Sequence, residues 1–84
     1  MHIAAAGNTE APAYLVLVSK GFDVQRHHAG EPDAETWIAT KGTLSLQADG
    51  LLELLGLIAL HDARGDDWPA SDAELDSFFR RFGL

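Results

Sequence analysis

Apolar positions recur with two different periods along this chain, and the change of period divides it. Between Glu35 and Ala48 they alternate. In ETWIATKGTLSLQA a two-residue turn at Lys41 and Gly42 sets Ala39 opposite Leu44 and Trp37 opposite Leu46, with Ile38 facing Ser45 and Thr36 facing Gln47 on the other side. Turn and alternation agree, so the spacing predicts a β-hairpin with Trp37 on its core face. The preceding FDVQRH alternates more weakly, with Phe22, Val24 and Arg26 set against Asp23, Gln25 and His27. It predicts a third antiparallel strand, reached through the loop HAGEPDA.

After Asp49 the period becomes helical. With Asp49 as cap, a helix from Gly50 to Arg64 gathers Leu51, Leu54, Leu55 and Ile58 into one stripe, which predicts cover for the sheet. Leu57 and Leu60 fall on the opposite side with Glu53 and Arg64, so this helix needs a second cover. The last segment, SDAELDSFFRRFGL, places Leu75, Phe78, Phe79 and Phe82 at i, i+3, i+4 and i+7. A helix this short is marginal alone and must dock, either on Leu57 and Leu60 or on another molecule. Between the two lies RGDDWPASDAEL, in which Gly65 ends one helix, Pro69 stiffens the connection, and Ser71 with Glu74 spells the capping box S-x-x-E of the next. Trp68 is expected as a lid over the core edge.

Upstream, NTEAPAYLVLVSKG predicts a first helix, with Asn8 or Thr9 as cap, Pro12 in the first turn and Gly21 as terminator. A strand from Tyr14 to Val18 is the competing reading, because YLVLV is short and partly β-branched. HIAAA at the start is a short strand or a frayed arm. The expected fold class is therefore α+β: a helix, a three-stranded antiparallel sheet, then two C-terminal helices packed over the sheet. The expected core is Leu15, Phe22, Val24, Trp37, Leu44, Leu46, Leu51, Leu55, Ile58, Phe78 and Phe79.

Composition narrows the partners. The 84 residues make one small domain, without cysteine, so stability rests on packing. The net charge of −7 is uneven: residues 1–48 carry five acidic and three basic side chains, residues 49–84 eight and three. Scattered basic residues on an acidic chain argue against nucleic acid and leave a basic protein partner open. No basic leader precedes AYLVLV, and LLELLGLIAL is short of the roughly 20 apolar residues of a membrane span. A soluble, cytoplasmic chain with no membrane partner is expected.

Candidate chemistry is sparse. His27 and His28 point to opposite faces of a strand, His61 and Asp62 lie about 100° apart on a helix, and no HExxH spacing occurs. Asp62, Asp66 and Asp67 lack the alternating order of a calcium loop, and Arg64-Gly65-Asp66, an adhesion tripeptide elsewhere, has no extracellular context here. The serines lack a nucleophile-elbow context, Glu31 and Asp33 fall in an exposed loop, and AAAGNT carries only one glycine for a phosphate cradle. No catalytic, cofactor-binding or metal-binding residue is assigned, and no enzymatic activity is expected.

The order of helix, three strands and helix resembles the double-stranded-RNA-binding fold in topology. That family anchors phosphates with basic residues at the start of its last helix. The matching positions here are Asp49, Gly50 and Glu53, so no RNA-binding residue carries over. The function expected is a non-enzymatic protein-interaction, regulatory or inhibitor module, acting on a protein partner or by self-association, with Leu57, Leu60, Asp66, Asp67 and Trp68 as its binding surface. The alternative is a small-molecule or metal-binding domain with a pocket between sheet and helices, near His61 and Trp37.

Overall fold

The computed structural model describes residues 1–28 and 35–84. Glu31, Asp33 and most of the HAGEPDA loop lie outside the described residues. In chain order come α1 (Glu10–Ser19), β1 (Asp23–His28), β2 (Glu35–Lys41), β3 (Leu44–Ala48), α2 (Leu51–Arg64), a single 3-10 turn (Gly65–Asp67) and α3 (Asp72–Phe82). The α+β class and this order are those expected, and Tyr14–Val18 is helical.

α1 starts at Thr9, which caps it without a side-chain hydrogen bond. Pro12 is its third residue, where the missing N–H costs nothing. Gly21, at φ +92°, turns the chain out of the helix, and the Phe22 amide then donates to the Leu17 carbonyl at 3.1 Å. Only Ala13 and Leu17, four residues apart, are buried in α1. Leu15 was expected in the core and is 64% exposed. It lies two residues from both buried positions, about 200° around the helix from either, and therefore on the far side.

The sheet is a meander of order β1-β2-β3, antiparallel throughout. Trp37 lies opposite Ala48, Ala39 opposite Leu46, and Lys41 opposite Leu44. The turn is thus Gly42–Thr43, one residue later than expected. Gly42 has φ +60°, and among the described residues no non-glycine residue has a positive φ. A type II′ turn asks for glycine at its first central position only, and Thr43 can follow there, whereas the earlier placement would leave Gly42 second. The one-residue move of the turn shifts each pairing by two and leaves every side chain on its expected face.

One face of this sheet is covered. Ala39 is fully buried at its centre, and Val24, Trp37, Leu44, Leu46 and Ala48 pack around a cluster of Ala13, Leu17, Phe22, Leu51, Leu54 and Ile58. α2 supplies Leu51, Leu54 and Ile58, with Leu55 half-buried beside them. Its cap is Gly50, in extended backbone, rather than Asp49. The acceptor for its first amide comes from α1: Glu10 Oε2 takes the Leu51 N–H at 3.2 Å. A carboxylate at this positive helix end is favourable, and it ties the two helices together.

α3 is joined to α2 through a well-defined junction. Gly65 (φ +76°) ends α2, as expected. Ser71 Oγ accepts the Glu74 N–H at 3.2 Å while Glu74 Oε1 accepts the Ser71 N–H at 2.9 Å, which completes the expected capping box. Arg64 spans the connection, donating through Nε to the Trp68 carbonyl at 2.9 Å and through Nη2 to Glu74 Oε1 at 2.7 Å.

Beyond the junction α3 contributes nothing to the core. It has no buried residue, and Phe78 and Phe79, expected in the core, are 50% and 43% exposed. The short junction holds α3 by its first turn only, and the cluster formed by α1, the sheet and α2 closes without it. The dimensions agree. The Cα radius of gyration is 15.2 Å where about 12 Å is usual for this length, and the accessible surface is 6500 Å² where about 4,900 Å² is usual for this mass.

Candidate functional site

Among the described residues, a furrow between α2 and β3 and the aromatic stripe of α3 depart from an ordinary solvated exterior, as does an apolar groove between α1 and α2 lined by Ile3, Pro12, Val16, Leu52 and Leu55. The furrow follows from the local sequence of α2. Its apolar residues exceed what one face can hold, so Leu57 stays half-buried and Leu60 is 41% exposed. β3 is an edge strand and leaves the flank of α2 open beside these two residues.

Part of the furrow, about 470 Å³, is lined by Gln47, Ala48, Asp49, Glu53, Leu57 and Leu60, among others. The adjoining part, about 310 Å³, is lined by Leu44, Leu46, Leu57, His61, Asp66 and Trp68 along with polar residues of β3. Leu57 and Gln47 belong to both. Four of the five residues expected as a binding surface thus adjoin one another: Leu57, Leu60, Asp66 and Trp68. Asp67 is exposed on the 3-10 turn and lines neither part.

His61 was not among those five, and the furrow closes on it. Its Nε2 lies 2.9 Å from Asp66 Oδ1, a contact made because Gly65 and the 3-10 turn fold the chain back toward the last turn of α2. The imidazole is partly covered while the carboxylate is fully exposed, so the pair is a solvated one. The tryptophan beside His61 is Trp68 and not Trp37. Trp37 pairs with Ala48 at the other end of the hairpin, where the Arg26 guanidinium sits 5.9 Å from its ring and also reaches Glu35 at 3.5 Å. No three His, Asp or Glu side chains among the described residues converge on a point where they could hold a metal.

The α3 stripe is a different kind of surface. Phe78 packs edge-on against Phe79 at 5.7 Å between ring centres and tilted against Phe82 at 5.3 Å. These rings touch one another and still present 43–60% of their residues to solvent, with Leu75 at 39%. Arg81 lies 5.1 Å over the Phe82 ring. The last turn closes on Gly83, left-handed at φ +70°, and the Leu84 amide donates to the Phe79 carbonyl at 3.0 Å.

Electrostatics at the base of α3 are set by Glu74. Its carboxyl is held below the ordinary carboxylate range, first by the hydrogen bond from the Ser71 amide and then by the Arg64 guanidinium. The periodicity of SDAELDSFFRRFGL gives away the stripe. What it lacks is any sign of whether the rings face their own core. Among the described residues no helix is long and apolar enough to cross a membrane. No protein-family model matches this chain, and no curated protein or solved structure proved similar to it.

Proposed function

We propose that this chain is a non-enzymatic protein-interaction module, regulatory or inhibitory in role, whose binding element is α3, with the α2–β3 furrow as secondary surface. One observation carries the reading: Leu75, Phe78, Phe79 and Phe82 form a continuous apolar stripe on a capped helix that has no buried residue. A soluble monomer rarely leaves such a stripe open, and an amphipathic helix held by its first turn suits capture of a groove or a second helix. The acidic chain favours a protein over a nucleic acid as the partner. Absence of cysteine is compatible with a reducing cytoplasm, the compartment we assign to it.

The test is site-specific photocrosslinking in source-cell extract. A photoreactive phenylalanine at Phe79 is expected to trap a protein, another copy of the chain included, and Phe82→Asp to abolish the product. The same probe at Thr40, on the open face of the sheet, is expected to trap nothing. No product at Phe79, or equal products at both positions, overturns the reading.

A second reading rests on the furrow itself. Its Trp68 wall, its leucines and the His61–Asp66 pair match the make-up of a small-molecule pocket, and about 310 Å³ is the lower end of the usual size. A thermal-shift screen decides this reading: a ligand that raises the melting temperature and loses its effect in Trp68→Ala supports it, and a flat screen rejects it.

A further inference from the structure

The partner that the α3 stripe fits best is a second α3. We infer that the chain forms a two-fold homodimer through antiparallel pairing of α3, with the axis passing beside Phe78 and Phe79. This rests on the reading of α3 as the binding element and names its occupant.

Three observations converge on it. The first is symmetry in the stripe. An axis between Phe78 and Phe79 sets Phe78 against the partner's Phe79 and Leu75 against the partner's Phe82, so all four apolar residues meet apolar residues. The second is charge. Asp72, Glu74 and Asp76 occupy the first half of α3, and Arg80 and Arg81 its last turn. A parallel pair would place like charges side by side. The antiparallel pair puts the basic end of each helix beside the acidic half of the other, and equivalent flanks meet. Glu74 and Arg81, on one flank of the stripe, are centred one residue, about 1.5 Å of helix rise, from the axis between the phenylalanines, an offset that a long arginine side chain spans. Glu74 uses Oε1 for both Ser71 and Arg64, and no hydrogen bond among the described residues engages its Oε2. The partner's Arg81 can therefore pair without opening the cap.

The third is area. At their observed exposure the four apolar side chains of two copies offer on the order of 700–800 Å², and the flanking acidic and basic side chains bring the contact to roughly 1,000 Å². That meets the lower bound of a specific interface. The rest of the molecule carries the acidic excess, whereas α3 has three acidic and two basic residues and is close to neutral where the copies touch. The expected dimer is one that forms on concentration and separates on dilution.

Light scattering of the full chain from about 10 µM to about 1 mM, where an interface of this size dissociates, provides the first test. The mass is expected to rise from 9.1 kDa toward twice that value. Phe78→Asp should hold the chain at monomer mass throughout, and Arg81→Glu should weaken the dimer about tenfold. Both should keep the melting temperature of the body, which shows that they fold.

Orientation is read by disulfide trapping, because the chain has no cysteine of its own. A 1:1 mixture of Leu75→Cys and Phe82→Cys chains should crosslink. Leu75→Cys alone should not, since the two copies of that position lie about 10 Å apart along the axis and a disulfide needs Cα atoms within about 7 Å. A monomer at every concentration, a dimer insensitive to Phe78→Asp, or ready self-crosslinking of Leu75→Cys each overturns the proposal. If the chain stays monomeric while the Phe79 probe traps a different protein, the interaction reading stands and the homodimer falls.

Discussion

α1 and α3 are nearly equal in length, ten and eleven residues, and both leave large apolar side chains exposed, Tyr14, Leu15, Val16 and Val18 in α1, yet only α1 also reaches the core. α1 is apolar on every side, with no stripe to mark a core face, and still carries Leu17, fully buried against the sheet and α2. α3 has the sharpest division of apolar and polar faces in the chain and buries nothing. Amphipathic pattern therefore reports that a face needs cover, while the position of an element in the fold decides who provides it. α1 lies beside the sheet and feeds directly into β1 through Gly21, so its contacts follow from short connections. α3 follows a turn and a proline after the core has already closed.

This contrast is tested most severely by Leu54→Ala. Leu54 is fully buried at the centre of the cluster, where leucine-to-alanine changes cost about 2–5 kcal/mol through lost transfer energy and the cavity left behind. Against the roughly 5–15 kcal/mol that holds a typical domain folded, this is a large share. Urea denaturation should show a fall in midpoint of that order. The same experiment on Phe78→Asp should show a change within about 0.5 kcal/mol, as for a surface site. Equal losses at the two positions would mean that α3 belongs to the core after all.

Features fixed by neighbours in sequence were legible without coordinates. The Ser71–Glu74 box, the Gly65 stop and the faces of the hairpin all depend on residues a few positions apart. The turn itself was misplaced by one residue, because alternation fixes the face of each side chain and not its partner, and the φ of Gly42 settles the register. Leu15 and the two phenylalanines were misassigned for a related reason. Their hydrophobicity is evident, but burial depends on contacts between elements far apart in sequence. The furrow was legible in part: Leu57, Leu60, Asp66 and Trp68 adjoin as grouped, whereas His61 joins them only through the fold-back at Gly65.

A contact between those two classes is the Glu10 carboxylate on the first amide of α2, since it links elements 41 positions apart. Glu10→Ala should destabilise the body by about 1 kcal/mol, the usual loss of a helix cap. Glu10→Gln keeps an acceptor oxygen and loses only the charge, so it should cost about half as much. Both are read from the denaturation midpoint. An unchanged midpoint in Glu10→Ala would show that α2 keeps its place without this tie, and that packing alone joins the two helices.

The smallest effect on the body, and the one most particular to α3, comes from its cap. Ser71→Ala removes the acceptor for the Glu74 amide and should cost the helix about 1 kcal/mol. Because α3 has no buried residue, that loss should stay local: faster amide exchange at Leu75 and Asp76, with Leu54 and Ile58 unaffected and the denaturation midpoint unmoved. Acid should reproduce it. Glu74 titrates below the ordinary carboxylate range because the Ser71 amide and Arg64 favour its charged form. Its contribution is therefore complete above that range and disappears as pH falls through the lowered value. Protection of α3 should hold from neutral pH down to the ordinary carboxylate range and decline below it. In Ser71→Ala the decline should begin at higher pH, because a frayed first turn no longer holds the Ser71 amide against the carboxylate. A midpoint of the body that follows the same acid profile in both proteins would tie α3 to the core, and would remove the distinction between the helix that reaches the core and the helix that does not.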